Sequence, residues 1–332
     1  MNSKLSNLRK EFVILMVPIV IIMMMWVYFF GKKELGPIRL GINIWPGYEY
    51  LFLAESMGYY KELGVDMQIV ETASLDDLRR AYERGTVDVM ATSLIEVVQA
   101  AANSGNIPKI FMITDYSNGA DVIIAREGIE SIKDLKDKRV GLEMASLGQF
   151  MVARALQKHN LSLDDIVMVP MAQEEMHQAI LSVEVDAVMT YPPVSVKLLR
   201  DNTNKIIFDS SEIPGEIIDV VSATSQVVKE RPGDLLKIIK AWEKALDFAA
   251  QSPAEAHKFA ADRQNITPHE FKKSLEGIRL LNIDRQKSLF DEKVELENGI
   301  RLIKEIILTP GQYQELPSSE AFIFSKAIKL AD

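Results

Sequence analysis

Apolar and polar positions alternate along this chain in short, repeated units. The apolar run Ile38–Ile44 ends at Trp45-Pro46-Gly47 and predicts a buried strand closing in a turn. Residues 48–63 then carry helical spacing, with Leu51, Ala54, Met57 and Phe52 on the inward side. Gly64 stops that helix, and Val65–Val70 alternates as a second strand. Ser74, followed by Asp76 and Asp77, predicts a capped helix start, because acids suit the positive end of the helix dipole. Val87–Ala91 is the third strand, giving βαβαβ.

The same order returns about a hundred residues later. Lys138–Glu143 predicts a strand, Ser146 caps a helix reaching about Lys158, and Ile166–Val169 is the next strand. Gln173–Ser182 predicts a helix and Val185–Met189 closes the unit. Val87-Asp88-Val89-Met90-Ala91-Thr92 and Val185-Asp186-Ala187-Val188-Met189-Thr190 nearly superpose as text. Two α/β lobes of one plan follow; one continuous parallel sheet is the alternative. Residues 233–251, 253–264, 267–280, 291–308 and 317–330 read as a helical tail that wraps one lobe and fixes the hinge. The expected division is 1–33, 34–120, 121–218 and 219–332: an N-terminal segment, a first lobe, a second lobe, and a return to the first.

The front of the chain changes this picture. Phe12–Phe30 carries no charge and ends in Trp26-Val27-Tyr28-Phe29-Phe30. That length and aromatic ending fit an uncleaved, single-pass transmembrane signal-anchor better than a cleaved signal, whose apolar stretch is shorter and meets a small-residue cleavage site. The chain has no cysteine, which excludes disulfides, thiol nucleophiles, thiolate metal sites and N-terminal cysteine lipidation. Its net charge of −9 argues against nucleic acid as a partner. No HExxH, GxSxG, P-loop or GxGxxG occurs, so neither a catalytic residue, a metal site nor a cofactor is expected.

Several segments together resemble one family: Gly41–Tyr60, Gly85–Ser93, Asp115–Ala125, Ile132–Gly141, Val185–Pro193 and Asp209–Asp219. They are similar to the nitrate/sulfonate/taurine group of periplasmic solute-binding proteins, which includes thiamine-precursor-like members. The likeness runs over roughly residues 38–260. It implies an α/β type II binding-protein fold, two lobes joined by two crossovers, and a small solute held between them. An ABC permease and ATPase are the implied partners, with a signalling membrane protein as the alternative. The soluble part then lies on the periplasmic side of an inner membrane. The thiamine-pyrimidine precursor synthase shares this fold but depends on a cysteine-rich motif, which this chain lacks.

Ligands of open α/β sheets bind beyond the carboxyl ends of strands, which selects the candidate residues. Trp45, Gly47 and Tyr48 follow the first strand, with Trp45 either stacking on a ligand or packing in the turn. Thr92 and Ser93 form either an anion-binding corner or a plain N-cap. Asp115, Ser117, Asn118 and Asp121 fall on the expected first crossover; Asp115 reads better as a turn residue, and Asp121 reads equally as turn or ligand group. Glu143 ends a strand, and Ser146 at a helix N-terminus is the candidate for gripping an anionic group. Tyr191 closes over the ligand, and Asp219 either faces the cleft or holds the hinge. Glu143, Asp121 and Asp219 together point to an amine-bearing or zwitterionic solute.

Overall fold

In the computed structural model, residues 35–308 and 316–331 are described. Phe12–Phe30, and with it the anchor expectation, lies outside them. Among the described residues no helix is long and apolar enough to cross a membrane. From Ile38 onward the chain forms one contact-linked unit.

Eleven strands occur in the described residues: β1 (Ile38–Asn43), β2 (Met67–Thr72), β3 (Val89–Ser93), β4 (Lys109–Ser117), β5 (Val122–Ala125), β6 (Arg139–Leu142), β7 (Val167–Pro170), β8 (Ala187–Thr190), β9 (Lys205–Asp209), β10 (Ile218–Ala223) and β11 (Ile278–Leu280). They divide into two sheets, ordered β11-β4-β10-β3-β1-β2 and β7-β6-β8-β5-β9. In the first, β1 runs parallel to β2 and β3, while β10 is antiparallel to β3 and β4. In the second, β6 runs parallel to β7 and β8, and β5 is antiparallel to β8 and β9. The chain passes between the sheets twice, from β4 to β5 and from β9 to β10. This is the α/β periplasmic binding protein architecture, and a single continuous sheet is excluded.

The text repeat has a physical basis. The backbone and Nε groups of Arg39 donate to Asp88 Oδ2 at 3.0 and 2.8 Å. The same two groups of Arg139 donate to Asp186 Oδ2 at 3.0 and 3.1 Å. Each clasp ties the entry of one parallel strand to the entry of the next and so helps fix their register. The two glycines also match. A Cβ on Gly41 would run into Leu78 and lie 3.1 Å from Val87, and one on Gly141 would lie 2.5 Å from Met171. At both positions neighbouring side chains come so close to the strand that they would have to shift to admit a Cβ.

Several local expectations change. The helix over 48–63 is two helices, Glu49–Ser56 and Tyr59–Glu62, parted at Gly58 with φ of 74°. That break leaves Met57 40% exposed rather than inward. The span 267–280 is a helix, Pro268–Glu276, followed by β11, whose ladder partner is β4. The span 291–308 takes in the end of Ile283–Glu292 and then, after Lys293 at φ 58°, Val294–Ile307. The span 317–330 holds only the short helical turns Ser319–Phe322 and Lys326–Lys329. The tail also reaches past the first sheet. Val294–Ile307 packs against both Leu94–Ser104 and Leu147–Lys158, and Arg200 pairs with Glu270 at 2.8 Å. The tail therefore joins the layers around both sheets instead of wrapping one.

Candidate functional site

The carboxyl ends of β1, β3, β4 and β6 meet the starts of the two crossovers in one buried region. Cross-strand pairing places Asp219 beside both Ser93 and Asp115. Asp115 and Ser117 thus belong to β4 and Asp219 to β10, not to the connecting segments as expected. Asp115 makes no turn. Its Oδ1 accepts from Trp45 Nε1 at 3.1 Å, and Asp219 Oδ1 accepts from the Tyr48 hydroxyl at 2.7 Å. Gly47 makes room for this arrangement: a Cβ there would strike the Asp115 carboxylate and lie 2.6 Å from Trp45 Nε1. The glycine serves the close approach of a carboxylate.

From the second sheet come Glu143, Ser146 and Tyr191. The Trp45 and Tyr191 rings meet edge to face, 5.8 Å apart. Ser146 stands at the N-cap of Leu147–Lys158, yet its hydroxyl caps nothing. It donates instead to Glu96 Oε1 across the cleft at 2.6 Å. The other oxygen of Glu96 accepts from Arg79 Nε at 3.0 Å. A fully buried carboxylate held by a guanidinium, with a serine of the opposite sheet on its free side, is a contact between the two layers. The expectation that Ser146 caps its helix is therefore corrected.

Not every expected residue faces this region. Asn118 is part-exposed and lines a groove of about 650 Å³ with Tyr116, Arg279 and Glu295, while its backbone N–H donates to Gly277. The Ser117 hydroxyl lies 2.8 Å from that of Ser210 and accepts from the Asp121 N–H at 3.2 Å. Ser117 thus joins one crossover to the other. Trp45, Tyr48, Thr92, Ser93, Asp121, Glu143, Tyr191 and Asp219 are all buried.

Several oxygens there lack a partner. Thr92 Oγ1, Ser93 Oγ, Asn43 Oδ1, Asp115 Oδ2, both Asp121 carboxylate oxygens and Glu143 Oε1 have no hydrogen-bond partner among the described residues. Such atoms are costly to bury, about 1–3 kcal/mol each and more for charged groups. Burial accordingly pushes the carboxyls up. Asp121 rises to about 8, by burial first, with the Asp219 charge adding and the nearby Ser117 hydroxyl opposing. Glu143 rises to about 8, by burial and then the charges of Glu96 and Asp76. Asp115 rises well above the usual carboxylate range, through burial and the adjacent Asp219 charge. Asp219 rises less, to about 6, because the Tyr48 hydroxyl stabilises its anion. Unliganded, the acids pushed highest hold their protons near neutral pH, and a cation set against them would favour their ionised, accepting form.

Sequence reasoning missed Glu96 and Asn43, and set Asp115 aside as a turn residue. Glu96 carried a readable signal: it is the one charged residue between Leu94 and Ala102, and a charge inside an apolar helix needs a partner. Among the described residues no group of three or more His, Cys, Asp or Glu side chains is placed to hold a metal ion.

Known proteins place the chain. A Brucella abortus protein named only as a binding protein is 27% identical over 183 residues, which are 51% of this chain and 56% of that one. The chain thus spans about half the length of that curated relative. The Saccharomyces cerevisiae 4-amino-5-hydroxymethyl-2-methylpyrimidine phosphate synthase THI12 is 22% identical over 222 residues, 63% of this chain and 65% of that one. Among solved structures, the alkanesulfonate-binding protein SsuA from Xanthomonas axonopodis pv. citri, bound to MOPS, superposes with a TM-score of 0.70 at 16% identity. It covers 89% of this chain and 100% of its own, which establishes the shared fold. The NMT1/THI5-like family model matches residues 45–256, and that match, spanning the crossovers and the buried acidic region, makes this chain a member of the NMT1/THI5-like family.

Proposed function

We propose that this chain is a solute-binding protein of an ABC importer, closing two lobes over a small amine-bearing solute. The lobes are the layers around the two sheets, with residues 38–120, 219–308 and 316–331 assigned to one and 121–218 to the other. One observation carries the reading. Unpartnered, buried acceptors from both sheets converge beyond the carboxyl ends of strands, where α/β proteins take their ligands. The sulfonate-binding neighbours in this fold support solute capture. The acidic lining favours a cation-bearing solute over a bare anion, since like charge opposes an anion there. A hydrolytic or synthetic role has less support, because the cleft offers carboxyls, hydroxyls and rings with no thiol in the chain. The uncharged run Phe12–Phe30 supports a single-pass membrane anchor holding the lobes on the extracytoplasmic side, near a permease.

A thermal-shift screen of the full chain tests this, using amines, amino acids, sulfonates, nitrate, polyamines and thiamine precursors. A ligand at a hundred times its Kd stabilises the folded state by about 2.7 kcal/mol. Specific stabilisation by an amine supports the proposal, whereas a panel in which nothing shifts the melting curve counts against solute capture.

A further inference from the structure

The buried acids form two groups, not one. Asp115, Asp121 and Asp219 gather where β4 and β10 meet the crossovers, with Asp115 and Asp219 paired across the ladder. Glu143 stands apart at the exit of β6, beside Glu96 and the Leu75 backbone. Between the groups lie Trp45 and Tyr191, ring edge to ring face. The Tyr191 hydroxyl feels the charges of Glu143, Asp121 and Glu96, which puts it within electrostatic reach of both groups. Each group keeps carboxylate oxygens with no partner among the described residues: Asp115 Oδ2 and both oxygens of Asp121 in one, Glu143 Oε1 in the other. The nearby guanidinium, Arg79, is already spent on Glu96, Glu83 and Asp76.

We infer that the solute carries two cationic N–H-bearing ends, one held by Asp115, Asp121 and Asp219 and the other by Glu143, with its apolar middle lying against the Trp45–Tyr191 ring pair. This rests on the solute-binding reading above and narrows it to a class. A monocation satisfies one group and leaves the other's acceptors buried and unpaired, which is the expensive outcome. A zwitterion brings its anionic end against one of the two acidic groups. An ammonium has three donors and no acceptor, so each end of a diammonium matches the partnerless carboxyl oxygens of its group and favours their ionised form. The ring pair presents apolar surface to a short methylene chain.

Isothermal titration of the full chain with putrescine, cadaverine, butylamine and 4-aminobutyrate at pH 8 tests the inference. The expected result is a diamine binding about 100-fold tighter than butylamine, the scale of one charge-assisted hydrogen-bonded end. Asp121→Asn and Glu143→Gln should each weaken the diamine by about tenfold or more, while butylamine responds to only one of the two. Both variants remove a buried ionisable group without changing its shape, and the wild-type comparison of diamine with monoamine stands even if one of them folds poorly. Equal affinity for putrescine and butylamine overturns the two-ended solute. Tighter binding of 4-aminobutyrate or of an alkanesulfonate also overturns it, and leaves solute capture standing. Failure of every compound in the titration and in the wider screen overturns both.

Discussion

Raising the pH should destabilise the unliganded protein across a window where most globular proteins are steady. Asp121 and Glu143 are each pushed to about 8 in the folded chain, against an ordinary value near 4 in the unfolded one. Below about pH 4 both states hold these protons and no difference arises. Between about 4 and 8 the unfolded state releases them while the folded state retains them. Each group then lowers stability by about 1.4 kcal/mol per pH unit. From pH 5.5 to 7.5 the two together give a loss of about 5 kcal/mol at most, reduced to the extent that opening the cleft rehydrates them. The carboxyls held low by arginine, Asp186 and Glu270, lose their contribution only at more acid pH and leave this window untouched. Urea unfolding at pH 5.5, 6.5 and 7.5 reads the effect directly. The wild-type midpoint should fall with pH, and the Asp121→Asn/Glu143→Gln double variant should make the profile shallower, the slope that remains coming from Asp115, Asp219 and Glu49. A midpoint that rises with pH, or a double variant as steep as the wild type, refutes the burial of these two carboxyls.

Two further outcomes follow from the same geometry. Arg79→Met leaves Glu96 buried without its guanidinium and should cost about 3–5 kcal/mol in chemical denaturation, with much of the loss recovered by adding Glu96→Gln; an unchanged midpoint would mean that Glu96 is solvated. Trp45→Ala and Tyr191→Ala should each remove most solute affinity in a titration while circular dichroism stays native, and full affinity in both would move the site away from this cleft.

The sequence carried the architecture because its signals are local. Hydrophobic alternation, Gly41 with Gly141, and Asp88 with Asp186 each report an arrangement whose partners lie within fifty residues. What it hid depends on distant partners. The run Ile278–Leu280 continues a helical pattern, and only β4, more than 160 residues earlier in the chain, turns it into a strand. Ser146 fits a capping position, and only Glu96, fifty residues back, draws its hydroxyl away from the helix. Asp115 follows a strand pattern and precedes a glycine-containing connection, so it looks like a turn residue until β10 brings Asp219 alongside. The acidic character of the cleft was readable from Asp121, Glu143 and Asp219. Its separation into two groups was not, because that depends on where Trp45 and Tyr191 meet.

The central claim is that two lobes close over a solute, and the absence of native cysteine permits a clean test. Asp77 and Glu174 are exposed on opposite layers, each near the Glu96–Glu143 side of the cleft. Spin labels on Asp77→Cys and Glu174→Cys, read by double electron–electron resonance, report the separation of those layers. With an amine that binds in the thermal screen, the account predicts a shift from a longer, broad distribution to a shorter, narrow one. A distribution that the bound amine leaves unchanged would contradict closure of the lobes over their solute.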